Sequence, residues 1–183
     1  EDRQNFDKIL DYDCSWGLPG IGRFRVTSMK QRGSPMIVMR VIPIEIPTIE
    51  DLSLPPIIRD IANHERGMVL VTGVTGSGKS STMAAMINWM NQNKRLHIVT
   101  LENPIEFLHR DNQCSITQRD VGTDTDSFES GMRAVLRQDP DVILIGEMRD
   151  KITIETALSA AATTHLVMST LPTKNAIQTI SGI

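Results

Sequence analysis

The spacing of apolar positions divides the chain into two regimes. In residues 1–48 they gather in two short runs, Ile21–Met29 (IGRFRVTSM) and Met36–Ile42 (MIVMRVI), whose composition predicts strands. Gln31-Arg32-Gly33-Ser34-Pro35 between them predicts a hairpin turn. Cys14–Gly22, with three glycines and Pro19, reads as a loop. Two strands behind a short acidic lead cannot bury a core alone, so this region reads as the tail end of a domain cut off at residue 1. Pro43 and Pro47 then bracket a short extended linker, IPIEIP.

From Ile49 onward strand and helix patterns alternate. Pro55-Pro56 open a helix reaching about His64, with proline in the first turn where a missing N–H costs nothing. The pattern then predicts strand Met68–Thr72, helix Ser80–Met90, strand Leu96–Leu101 and a short strand near Cys114–Thr117. Helix Ser127–Arg137, strand Val142–Ile145, helix Ile152–Ala162 and strand Leu166–Ser169 follow, and the chain stops at Ile183 inside or just after one more helix. Met83, Met86, Ile87 and Met90 recur at helical spacing, a stripe that reads as core packing. Strands separated by helices imply βαβ units and a mainly parallel sheet. The expected fold class is α/β.

Composition narrows the function classes. Of 183 residues, 40% are hydrophobic and 22% charged, which is globular material. The net charge of −3, with no basic arm, disfavours a nucleic-acid coat or a DNA-pumping motor. Cys14 and Cys114 stand far apart with no Cys/His cluster, which fits a reducing compartment and no structural zinc. No apolar run approaches the roughly 18 residues of a membrane span, and Glu1-Asp2-Arg3-Gln4 does not open a signal peptide. A cytoplasmic protein is expected.

The decisive motif is Gly73-Val74-Thr75-Gly76-Ser77-Gly78-Lys79-Ser80, a full GxxxxGK[ST] set between a predicted strand and a predicted helix. Glycines let the backbone fold into a nest of inward N–H groups for phosphate oxygens. Lys79 brings a point charge to the β- and γ-phosphates, Ser80 a hydroxyl for Mg²⁺, and the helix its positive end. Ser81 completes the nucleotide-binding stretch. ATP with Mg²⁺ is the expected cofactor pair.

Hydrolysis further needs carboxylates to hold the Mg²⁺ shell and orient water. Glu147 ends the apolar run Val142–Gly146, which puts a carboxylate at the carboxyl edge of a buried strand, where parallel sheets place ligands. Glu102 ends a second apolar strand, with Glu106 following Asn103-Pro104-Ile105. Either glutamate suits the water by position alone, and each also reads as a solvated charge after a strand. His165 begins another apolar strand and reads by pattern as structural. Arg23, Arg25, Arg32 and Arg40 read as solvated strand residues unless assembly carries them to a neighbour's nucleotide.

Taken in order, VTGVTGSGKSSTMAAM, HIVTLENPIEFLH, ITQRDVGTDTDSF, LRQDPDVILIGEMRD and HLVMSTL resemble the type IV pilus retraction ATPases, the twitching-motility motors of the secretion-ATPase superfamily. GLPGIGRFRVTSMKQRG and MRVIP resemble the end of that family's N-terminal domain. The resemblance implies a RecA-like P-loop NTPase core at 49–183, C-terminally truncated, preceded at 1–48 by the end of a small α+β domain and the linker. It implies a homo-hexameric ring with ATP between one subunit's core and a neighbour's N-terminal domain. The ring would be peripheral on the inner membrane and would work on a pilus platform protein there. Glu102 would be the catalytic, water-activating glutamate of the acidic box. Glu147 would be the Walker B glutamate, reaching Mg²⁺ through water, and His165 the first histidine of the histidine box. Arg25 and Arg40 become candidates for phosphate contacts in trans.

The chain also departs from the family pattern. Asn103 replaces the aspartate of Glu-Asp-Pro, and Ala162-Thr163-Thr164-His165 replaces Glu-Thr-Gly-His. Pro172 replaces the second histidine, and Gly182 stands where an arginine is usual. A fragment, a degenerate copy and sequence errors near the end all account for this. The departures support an alternative: a nucleotide-binding, weakly hydrolysing ring component that acts as a structural or regulatory partner of an active motor. A small-molecule kinase would need an arginine-bearing lid after the core, and none is visible.

Overall fold

A computed structural model describes residues 11–148 and 150–172. The chain divides into two compact units, 1–45 and 46–183. In the first unit β1 (Asp11–Leu18), β2 (Gly22–Gln31) and β3 (Ser34–Ile42) form an antiparallel sheet in that order. The loop expected over Cys14–Gly22 is therefore mostly strand. Tyr12, Cys14, Trp16 and Leu18 alternate with Asp13, Ser15 and Gly17, and β1 pairs along its whole length with β2, from Asp11 opposite Met29 to Leu18 opposite Gly22. Only residues 19–21 turn, closed by the Ile21 N–H on the Leu18 carbonyl at 3.0 Å. Strand alternation outweighed the glycine signal here, because a single glycine within a paired strand is tolerated.

The second unit holds α1 (Ile57–Ala62), β4 (Gly67–Thr72), α2 (Lys79–Asn93), β5 (His97–Glu102), β6 (Ser115–Asp120), α3 (Phe128–Val135), β7 (Val142–Ile145), α4 (Lys151–Thr163) and β8 (Leu166–Leu171). Its five strands lie in the order β4-β8-β7-β5-β6, and every pair is parallel. This is the α/β, mainly parallel architecture that the alternating pattern implied. The helix expected after residue 172, and Gly182, lie outside the described residues.

Each central strand is apolar on both faces because each face has its own helices. Val142 and Leu144 point to the α1/α2 side, where Met83, Met86, Ile87 and Met90 fill the cluster. Ile143 and Ile145 point the other way, toward Met132, Val135, Ala157 and Ala160 of α3 and α4. The methionine stripe is core, as its spacing predicted. Small residues set the helix-to-sheet distance on the α3 side. A Cβ on Gly131 would meet Leu101 Cδ2 at 2.9 Å.

Capping fixes where the helices begin. Ser127 caps α3 by accepting from the Ser130 N–H at 3.1 Å, and Ser130 returns the contact to the Ser127 N–H. Asp150 caps α4, accepting the Thr153 N–H at 2.8 Å and the Thr153 hydroxyl at 2.6 Å. These bonds hold the Asp150 carboxyl below its ordinary range. A lowered folded-state value means stability that is present above the unfolded value and lost as pH falls through the folded one. We therefore expect Asp150→Ala to cost about 1 kcal/mol near neutral pH, read by urea denaturation. The difference from wild type should shrink as acid protonates the cap.

Candidate active site

Because the strands are parallel, the carboxyl ends of β4, β5, β7 and β8 open on one edge of the sheet. The loop from Gly73 to Gly78 joins β4 to α2 at that edge. Gly76 and Gly78 hold φ of 80° and 92°, and Gly78 is the N-cap of α2. Gly73 is required for space as well, since a Cβ there would lie 2.5 Å from Ser77 Oγ. Lys79 folds back over the loop, donating from Nζ to the Gly73 and Val74 carbonyls at 2.9 and 3.1 Å. Ser80 is exposed in the first turn of α2.

A small cleft lies beside this turn. Ser80, Glu102, Glu106, His109, Gly146 and Thr170 line it together with apolar residues of α2. Thus the fold gathers residues from α2, the ends of β5, β7 and β8, and the segment after β5. The ends of β5 and β7 touch: the Gly146 N–H donates to the Leu101 carbonyl at 2.7 Å, and a Cβ on Gly146 would sit 3.3 Å from the Glu102 Cα. Two hydroxyls of β8 brace β7, Ser169 on the Ile145 carbonyl at 2.8 Å and Thr170 on the Gly146 carbonyl at 2.6 Å. Glu147 follows directly and is partly buried.

Glu102 is heavily engaged. Its Oε1 accepts from the Thr100 hydroxyl at 2.7 Å and from Gln118 Nε2 at 3.1 Å, and the carboxylate also accepts the Glu106 N–H. Burial raises its pKa, and these hydrogen bonds oppose the shift. Glu106, by contrast, is exposed on the cleft. The Asn103–Pro104 bond between the two is cis. His109 closes the segment. Burial lowers its ring to about 4, so it is neutral at pH 7, and its Nδ1 has no hydrogen-bond partner among the described residues.

Other expected residues fall elsewhere. His165 precedes β8 at the amino edge of the sheet, where its carbonyl accepts the Gly67 N–H. Six strand residues, roughly 20 Å at the usual rise, separate that edge from the loop. Its ring instead lies near the Ala160 carbonyl and the Thr164 hydroxyl, at the end of α4. Pro172 immediately follows Leu171, the strand partner of Thr72, so it stands at the edge that carries the Gly73–Gly78 loop. Arg25 and Arg40 belong to the first unit, where they are directly opposed across β2 and β3. Thr100, Gln118 and His109 had no individual signal in the sequence, because their roles come from pairing β5 with β6.

The family model described as "Type II/IV secretion system protein" matches residues 20–183. The chain belongs to that family. Among this secretion-ATPase family's curated members, the chain is similar to the type IV pilus retraction ATPase PilT of Pseudomonas aeruginosa. The two are 46% identical over 99% of this chain and 53% of that protein. A twitching motility protein of Neisseria gonorrhoeae is 48% identical over 99% of this chain and 48% of its own length. The crystal structure of the pilus retraction motor PilT with bound ADP matches with a TM-score of 0.95 and 49% identity, over 99% of this chain and 53% of that one. The chain thus spans about half the length of the relatives it matches.

His109 makes the segment after β5 sensitive to acid. A histidine lowered in the folded state binds its proton more readily once unfolded, so stability falls as pH drops from about 6.5 toward 4. The urea midpoint of wild type should fall more steeply across that window than that of His109→Gln. Equal slopes would mean that the imidazole is solvated.

Proposed function

We propose that this chain is part of an ATP-hydrolysing subunit of a ring motor that drives type IV pilus retraction. The observation that carries the reading is convergence: a complete phosphate loop and two carboxylates meet at one sheet edge, with Ser80, Glu102 and Glu106 on one cleft. The similarity to PilT over nearly the whole chain supports the same reading. ATP would bind through Gly73–Ser81, its phosphates in the loop and on Lys79. Mg²⁺ commonly takes only one or two protein oxygens beside phosphates and water, and Ser80 with Glu147 fits that need. When bound, it would neutralise charge on the transferring phosphate.

The geometry divides the acidic stretch. Glu102, expected to activate the water, is committed to Thr100, Gln118 and the Glu106 N–H. Glu106 is exposed, and among the described residues its carboxylate accepts no hydrogen bond. We assign Glu106 to take the proton from the attacking water and Glu102 to anchor it. The subunits would form a homo-hexamer, peripheral on the inner membrane and acting on a platform protein. Among the described residues no helix is long and apolar enough to cross a membrane. Arg25 and Arg40 would meet a neighbour's phosphates. Like charges directly opposed on a sheet are destabilising, and an anion between them would relieve that.

A second reading, a weakly hydrolysing partner of another motor, has Pro172 behind it. That ring stands at the loop edge with no donor to offer a γ-phosphate. Turnover separates the two readings. In full-length protein, Lys79→Ala should lose most ATP affinity and all phosphate release. Glu106→Gln and Glu102→Gln should both bind ADP normally, with turnover down about a hundredfold or more for the first and less for the second. A larger loss in Glu102→Gln would return the water to Glu102. Wild-type turnover no higher than that of Lys79→Ala would favour the partner reading.

The ring leads to a further expectation. Specific activity should rise with protein concentration, and mixing Lys79→Ala with Arg40→Ala subunits should restore some turnover. An arginine supplied in trans can be worth about a thousandfold in phosphoryl transfer. Activity independent of concentration, with no rescue in the mixture, would leave the arginines as solvated strand residues.

A further inference from the structure

We propose that Gln118 is a positioning residue of the hydrolytic site, whose side-chain amide ties the Glu102 carboxylate to the segment that carries Glu106. The inference rests on the ATPase reading above and adds to it the group that sets the spacing of its carboxylates.

Gln118 lies on β6 directly opposite Thr100 of β5, so both side chains stand on the same face of the sheet. Both donate to the same oxygen, Oε1 of Glu102, at 3.1 and 2.7 Å. The second N–H of Gln118 serves the Phe107 carbonyl at 2.8 Å, and its own Oε1 accepts the His109 N–H at 2.8 Å. Every donor of the amide is used, and only one orientation works. Turning it over would set its oxygen against the Glu102 carboxylate and the Phe107 carbonyl, and its NH₂ against the His109 N–H.

The consequence concerns Glu106. Its own carboxylate has no hydrogen bond among the described residues, so its place depends on its backbone. That backbone is held from both sides. The Glu106 N–H binds Glu102, and Phe107 and His109 bind Gln118, which in turn binds Glu102. A side chain with only one kind of hydrogen-bonding group cannot make this junction. Glutamate in its ionised form accepts but does not donate, and methionine fills the volume with neither.

The test uses two variants of the full-length protein, Gln118→Met and Gln118→Glu, each assayed for phosphate release, ADP affinity and amide hydrogen exchange in the ADP complex. Both should lose turnover by about tenfold or more while KM for ATP and Kd for ADP stay within about twofold of wild type. In Gln118→Met the Glu106 and His109 amides should exchange faster while those of α2 keep their protection. In Gln118→Glu an ionised carboxylate would face the Glu102 carboxylate and the Phe107 carbonyl in place of the NH₂, so turnover should be lost there as well. Turnover within about twofold of wild type in both variants overturns the proposal. So does a loss shared equally by turnover, ADP affinity and α2 protection, which is general damage. Wild type that releases no phosphate defeats the ATPase reading instead. Exchange in the ADP complex then still decides whether Gln118 holds the segment, and unchanged Glu106 and His109 amides in Gln118→Met overturn it.

Discussion

A strand covered by helices on both faces can carry polar chemistry only at its ends. Burying an unpaired charge along such a strand costs more than a domain's small net stability tolerates. In this chain β5, β7 and β8 are nearly continuous apolar runs, and their polar groups concentrate at the carboxyl edge. Thr100 and Ser169, the buried polar residues within these strands, spend their hydroxyls on neighbours at that same edge. The Gly73–Gly78 loop, Glu102, Gly146, Glu147 and Thr170 share one rim because the sheet leaves them nowhere else to go.

That constraint also explains which residues must be small. The edge is a working surface only if strand ends and helix starts come close, and three glycines make that approach. Gly73 clears Ser77, Gly146 clears the Glu102 backbone, and Gly131 lets α3 settle on Leu101 beneath the same strand end. Two of the three clearances involve Leu101 or Glu102. The end of β5 is therefore the point at which helix packing and site geometry meet.

How much of this could be read from the sequence follows from the range of the interactions. The setting of the Gly73–Ser80 motif was legible, since its eight positions are consecutive and need only a strand before and a helix after, which β4 and α2 supply. The methionine stripe of α2 was legible for the same reason. Strand β1 was not, because Gly17 and Pro19 masked an alternation that becomes decisive only once β2 lies beside it. Gln118 and Thr100 face each other across a parallel pair with the whole segment after β5 between them in the chain, and no local pattern encodes that. The amino-edge position of His165 was implicit in its place at the start of a strand.

The place of β8 works as a ruler. It lies between β4, which leads into the Gly73–Gly78 loop, and β7, which leads to Glu147. Neighbouring strands are about 4.8 Å apart, so the loop strand and the Glu147 strand are held roughly 10 Å apart, and β5 with Glu102 one step further. If ATP binds in the Gly73–Gly78 loop as proposed, Glu147 stands off from that loop by the width of β8. A strand with none of the assigned charged groups thereby sets the spacing between the loop and the acid.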